Sequence, residues 1–228
     1  MSTKVVATLA GWVALMAGSA GWAYQIEDVR TEWWTGAGTN RVLLVVDFWR
    51  GNGQADSFAF GYRFSQPQIT GLDLLDAVQA ANQGFSYAAL QGGYLTDIWY
   101  VKDGTTYHTG TSWPASWWKY FTSADHGQTW VESQYGAAMR VLVNGDTDGW
   151  LALPGDDWTS VPITPVLGDM DCDGTLSFAD INPFVLALSY PAEYGPTFPE
   201  CSIYNADING DGSVDFGDIN PFVALFES

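Results

Sequence analysis

Positive charge is what this sequence most lacks: eight lysines and arginines stand against 26 aspartates and glutamates, a formal net charge of −18. In residues 168–228 the shortage is complete, with 11 acidic residues and no basic one. Such a surface repels phosphate backbones, which argues against nucleic acid as a partner. Histidine is almost as scarce. His108 and His126 are the only two, and the chain has no G-x-S-x-G and no H-E-x-x-H. Both sit beside Thr, Gly or Asp and read as surface or turn residues. Two cysteines without nearby histidines supply too few ligands for a zinc site. Beyond the first 23 residues no apolar run is long enough to span a bilayer, so no membrane span is expected in the mature chain.

Residues 1–23 place Lys4 ahead of an apolar run from Val5 to Ala17, followed by the small residues Gly18, Ala20, Gly21 and Ala23. That is the layout of a secretory signal peptide, and an N-terminal anchor helix is the alternative reading of the same run. The expectation is a secreted or cell-surface protein. Export would carry Cys172 and Cys201 into an oxidising compartment, where a single disulfide between them is expected. Two free thiols remain the alternative, because spacing alone does not prove proximity.

Residues 24–160 form the body. "RVLLVVDFW" (41–49) and "SFAFGYRF" (57–64) are β-branched and aromatic runs separated by a Gly-rich turn, and they read as two strands. "TGLDLLDAVQAANQG" carries Leu72, Leu75 and Val78 at helical spacing, and Thr70 with Asp73 can form a capping box. A helix over residues 71–82 follows. Further strands are expected at 85–90, 94–101, 117–123, 137–143 and 149–153, so one helix among several strands implies an α+β body. "NGDTDG" (144–149) reads as a hairpin turn. "VPITPVL" (161–167) has two prolines and no charge, the composition of a stiff linker.

The tail, residues 168–228, contains an internal repeat. "DMDCDGTLSFADINPFVLAL" (169–188) and "DINGDGSVDFGDINPFVALF" (207–226) agree at 10 of 20 positions, with a period of 38. Calcium takes six to eight oxygen ligands, and a loop of about twelve residues can wrap it with donors at positions 1, 3, 5, 7, 9 and 12. In the first repeat these fall on Asp169, Asp171, Asp173, Thr175 through its carbonyl, Ser177 through water, and Asp180. In the second they fall on Asp207, Asn209, Asp211, Ser213 through its carbonyl, Asp215 and Asp218. Gly174 and Gly212 occupy position 6 of each, where the chain turns sharply. Two Ca2+ ions are the expected cofactors. Magnesium fits less well, because it prefers a tight octahedron with retained waters.

With these residues in place, the tail resembles a dockerin, the paired calcium-loop module of secreted bacterial polysaccharide-degrading systems. The Asp at position 12, Asp180 and Asp218, is the form dockerins resemble. The resemblance implies a small all-α module that docks to a cohesin-like protein or a cell-surface partner. It implies one short helix per repeat, with Asn182 and Asn220 as caps and Phe184, Val185 and Leu188 packing against Phe222, Val223 and Phe226. It also implies that a Cys172–Cys201 bridge would staple a module with a small core. Well-known dockerins carry hydroxyl residues just after position 9, whereas this chain has Phe178, Ala179, Phe216 and Gly217. The two Phe side chains read as core, with apolar partner contacts as the alternative.

The body's ten tryptophans suit either a rigid core or a groove that stacks on sugar rings, and Trp113, Trp117 and Trp118 in "SWPASWWKY" are the candidate stacking residues. Consecutive Trp117 and Trp118 on a strand must point to opposite faces. The stretch "GLDLLDAVQAA … WWKYFTS … GAAMRVLVNGDTDGWLAL" is similar to the β-grasp-like domain at the C-terminus of transcobalamin, which implies a ligand-binding or adhesive domain. The fold expected for the whole is therefore α+β, a β-grasp-like sheet with one main helix followed by the all-α module. The function expected is a secreted modular binding protein, with carbohydrate or a small ligand held by the body. The alternatives are a polysaccharide-active O-glycosyl hydrolase or accessory protein delivered by its dockerin, for which Glu32, Asp47, Asp56, Asp97 and Glu132 supply carboxylates, and a structural surface protein.

Overall fold

The structure is a computed structural model, and its described residues are 25–48, 56–108, 117–153 and 159–227. The expected signal peptide and Trp113 lie outside them. The body contains β1 (Thr31–Gly36), β2 (Asn40–Phe48), β3 (Asp56–Phe64), β4 (Ile69–Thr70), α1 (Gly71–Ala80), β5 (Phe85–Leu90), β6 (Tyr94–Lys102) and β7 (Thr105–Tyr107). It continues with β8 (Trp117–Ser123), β9 (Val131–Glu132), β10 (Val141–Leu142) and β11 (Thr147–Leu153). The tail adds α2 (Ile181–Ser189), α3 (Pro191–Thr197) and α4 (Ile219–Ala224).

These elements overturn the expected fold class. Strand accounts for 35% of the described residues and helix for 23%, and the strands form three separate sheets rather than one β-grasp sheet. The main sheet runs β1-β3-β2-β11-β8-β9; β5-β6-β7 and β4-β10 form the other two. The physical reason is that nearly every apolar run in the body is short and rich in β-branched or aromatic residues, including β1, whose "TEWWTG" lies outside the strands expected above. The tail is not an all-α module either. Its helices have nine, seven and six residues, and the rest is loop and three short 3-10 turns.

β2 explains the sheet's centre. Val42, Leu44, Val46 and Phe48 point to one side, where they meet Phe58, Phe60, Leu74, Leu75, Val78, Phe85, Ile98 and Trp150. Leu43 and Val45 point to the other, where Ile26, Val29, Ala59 and Val166 cover them. A strand buried on both faces reads as the near-continuous run "VLLVVDF", and its parallel pairing with β11 fits that burial. α1 begins as its sequence requires. The Thr70 hydroxyl accepts the Asp73 amide at 3.1 Å, and the Asp73 carboxylate accepts the Thr70 amide at 2.8 Å.

Two connections differ from expectation. "NGDTDG" turns the chain, but β10 pairs with β4 while β11 pairs with β2 and β8, so no hairpin closes there. Residues 161–167 do not hang between body and tail. The Ile163 amide donates to Asp47 at 2.8 Å, the Thr164 hydroxyl donates to the Gly127 carbonyl at 2.9 Å, and Val166 bridges to Val29.

Candidate metal centre

In the first loop, Asp169, Asp171 and Asp173 each bring a carboxylate oxygen to within 4.8 Å of the others. Calcium–oxygen distances of about 2.3–2.6 Å allow one ion to reach donors at that separation. Asp169 is buried at 1% exposure, and its Oδ1 has no hydrogen-bond partner, while Oδ2 accepts the Gly174 amide at 3.1 Å. Burial, then the negative charges of Asp180 and Asp173, push the Asp169 carboxyl up to about 7. Burial likewise raises Asp180 to about 6, against the pull of the Ser177 and Met170 amides. A divalent cation would relieve this repulsion, and an acceptor-only oxygen left without a donor is the group it would satisfy.

Asp180 closes the loop from the far end. Its Oδ1 accepts the amides of Met170 at 2.6 Å and Asp171 at 3.3 Å, and its Oδ2 accepts that of Ser177 at 2.7 Å. The second loop repeats the pattern: Asp218 accepts the Asn209 amide at 3.1 Å and the Asp215 amide at 3.0 Å. Asp207 accepts the amides of Asp211 and Gly212, at 3.1 and 3.0 Å. The amides of Thr175 and Ser213 donate to Asp173 and Asp211, at 2.8 and 2.9 Å, which turns position 7 of each loop the same way. Gly174 and Gly212 lie at φ +83° and +87° with open space around a Cβ, so it is the backbone angle that calls for glycine there.

The helix starts are not capped as expected. Ser177 and Asp215, at position 9, cap 3-10 turns over Phe178–Asp180 and Phe216–Asp218, each with a full capping box completed by the position-12 Asp. Asn182 and Asn220 lie inside α2 and α4 instead. The Cys172–Cys201 disulfide is present, with Cα atoms 5.4 Å apart. Cys172 lies at φ +54°, the left-handed conformation that Gly210 takes at the equivalent position 4 without a crosslink. That equivalence was readable as Cys aligned with Gly, but the alignment alone does not reveal the backbone angle.

α2 and α4 meet through Phe184 and Phe222, stacked with ring centroids 3.8 Å apart. Phe178 and Phe216 do not pack inward as expected; they are 77% and 79% exposed. Phe178 stacks on Phe226 at 5.5 Å and lines an apolar groove of about 380 Å3 together with Ile181, Val185, Ile219 and Val223.

In the body, Trp117 and Trp118 take opposite faces of β8. Trp117 packs against Phe121, Leu151 and Leu153, and Trp118 packs edge-on against Phe48 at 5.5 Å. Of the candidate carboxylates, the Asp56 side chain lies outside the described ones, and the other four sit on β1, β2, β6 and β9, each with its own partner. Glu32 is bonded by Arg30 at 2.9 Å and Lys102 at 2.7 Å; Asp97 by His108 at 2.6 Å; Asp47 by the Ile163 amide; Glu132 by Lys119 at 2.7 Å.

One buried carboxylate escaped sequence reading. Asp148, within "NGDTDG", lies on β11 two residues from Trp150, so strand alternation sends both to the core face. It bonds the Tyr120 hydroxyl and lies 3.5 Å from the Arg140 guanidinium. Burial, outweighing Tyr120 and Arg140, pushes its carboxyl up to about 7. Because the folded value is raised, the stabilisation it links to its proton is full below about pH 4, the unfolded value, and is lost as pH rises through 7. Asp148→Asn, which keeps an acceptor for Tyr120, is expected to flatten the fall in urea-unfolding free energy between pH 5 and 8. An unchanged slope would refute this account of Asp148.

No protein-family model matches the chain, and no curated protein matches it.

Proposed function

We propose that this is an exported binding protein whose two C-terminal loops each hold a calcium ion, and whose α2–α4 face docks to a partner protein or surface. The body is then the ligand-binding or adhesive part, with carbohydrate or a small ligand as its target. The observation that carries the calcium reading is the buried Asp169 Oδ1, left without a donor among gathered carboxylates. The donor set is all oxygen and suits a hard cation. The resemblance to dockerins supports docking through a cohesin-like partner. So does the exposure of Phe178, which lines the apolar groove, and of Phe216 at the equivalent position of the second repeat, since large apolar side chains left in water are typical of contact surfaces.

The test is calorimetric titration of residues 24–228 with calcium chloride, for which two ions per chain are expected. No heat at millimolar calcium would end the calcium reading. Phe178→Ser with Phe216→Ser is expected to leave calcium stoichiometry intact while abolishing capture of a cohesin-like protein by the parent chain. Equal capture by parent and variant would remove the docking role of this face. A glycan array with a reducing-sugar assay tests the body, where turnover of a polysaccharide would replace the binding role with a hydrolase.

A further inference from the structure

Asn205 sits at the point where body and tail meet, 1% exposed, and both ends of its side chain amide are engaged. Its Nδ2 donates to the backbone carbonyl of Asp169 at 3.0 Å and lies 3.6 and 3.7 Å from the two disulfide sulfurs. Its Oδ1 accepts from Arg30 Nε of the body at 3.2 Å, and its own carbonyl accepts the Gly168 amide at 2.8 Å. Asp169 opens the first calcium-type loop, and Asp207, which opens the second, follows Asn205 by two residues. One buried side chain thus touches the start of one loop and stands just before the start of the other.

Arg30 is itself fixed from behind. Its Nη1 donates to Glu32 at 2.9 Å and its Nη2 to the Ser57 carbonyl at 3.4 Å. Glu32 in turn accepts from Lys102 at 2.7 Å and from the Tyr100 hydroxyl at 2.9 Å. Charge-assisted bonds among groups this buried are stronger and better aligned than those at a free surface. Backbone bonds bracket the chain of contacts, with the Arg30 amide donating to Pro165 at 2.8 Å and the Leu167 amide to Asp28 at 2.9 Å. Lys102 also lies over the Tyr204 ring at 5.2 Å, and a cleft of about 420 Å3 brings Asp207 and Asn209 opposite Arg30 and Lys102.

We propose that Arg30 and Asn205 are a positioning pair through which the body supports the calcium loops, so that the tail binds calcium fully only while seated on the body. This rests on the calcium reading above. The pair fixes the Asp169 main chain, and with it the direction of the buried carboxylate that would meet the ion. Partners that orient a metal ligand in this way usually change affinity by about tenfold or more when removed. Coupling is reciprocal, so calcium in turn tightens the junction.

The experiment is calcium calorimetry on residues 24–228 and three variants. Arg30→Ala is expected to weaken one of the two sites, that of the loop opened by Asp169, about tenfold. Asn205→Asp keeps an acceptor for Arg30 and loses the donor to Asp169, and is expected to weaken it comparably. Arg30→Lys retains the Glu32 ion pair, so it preserves the fold should Arg30→Ala lose it, and is expected to fall between parent and Arg30→Ala. Hydrogen exchange supplies a readout that a general loss of stability would not give. EDTA should speed exchange of the Arg30 and Leu167 amides in the parent and have little effect on them in Arg30→Ala. A folded Arg30→Ala or Arg30→Lys chain with parental calcium affinity would overturn the inference while leaving the calcium reading intact. A parent that binds no calcium would overturn both.

Discussion

Chelation by EDTA is expected to lower the unfolding free energy of the tail by about 5 kcal/mol relative to a chain held at free calcium near one hundred times Kd, about 2.7 kcal/mol for each site. The size follows from what the loops lack without metal. Residues 168–228 hold 11 acidic side chains and no base, so nothing within the tail neutralises the gathered carboxylates. Burial and neighbouring charge already raise Asp169, Asp171 and Asp180 above their ordinary values, the mark of anions held against repulsion. All twelve tryptophans precede residue 159, so indole fluorescence follows the body and leaves the tail silent. Urea unfolding read by hydrogen exchange at the Met170 and Asn209 amides, both held by position-12 aspartates, is the suitable probe. Identical protection with and without EDTA would defeat the prediction.

The second large effect concerns the disulfide. Replacing Cys172 and Cys201 by serine is expected to cost the tail about 3–4 kcal/mol, the loop-closure entropy of a crosslink spanning about thirty residues. Part of any further change reflects the backbone at position 172. Left-handed φ at a non-glycine residue costs about 1–2 kcal/mol, and Cys172 is held there. A Cys172→Gly, Cys201→Ser pair should therefore recover about 1 kcal/mol relative to the double serine, as Gly210 does in the second repeat without a crosslink. Denaturant unfolding of both variants in saturating calcium measures the difference. A glycine variant no more stable than the serine one would show that the angle is not a cost.

Much of the local structure is legible in the sequence. The strand runs at 41–49, 57–64, 85–90, 94–101 and 117–123 correspond to β2, β3, β5, β6 and β8, because short runs of β-branched and aromatic residues bounded by turn formers mark strands directly. The capping box set the start of α1 at the expected residue. What sequence reading could not supply was which strand joins which. β11 lies between β2 and β8, and β10 leaves for β4, a choice made by long-range packing that no local pattern encodes. The α+β expectation failed for that reason and because β1, β7 and β9 are short, polar or mixed. In the tail the spacing of the acidic residues was legible. The doubled role of Ser177, Asp215, Asp180 and Asp218 as capping residues was not, since a helix preceded by a 3-10 turn shifts its cap four or five residues upstream. The exposure of Phe178 and Phe216 was missed because a Phe is usually buried, and only the direction of the turn decides otherwise.

The segment that follows β11 also sets the order in which this protein can mature. Leu43 and Val45 are covered by Val166, and Asp47 is answered by the Ile163 amide. A nascent chain that has released only its first 160 residues therefore leaves this apolar flank only partly covered, by Ile26, Val29 and Ala59, and completes the cover when the Pro-flanked strip arrives. A fragment ending at residue 160 should aggregate, whereas one ending just past Val166 should stay in solution.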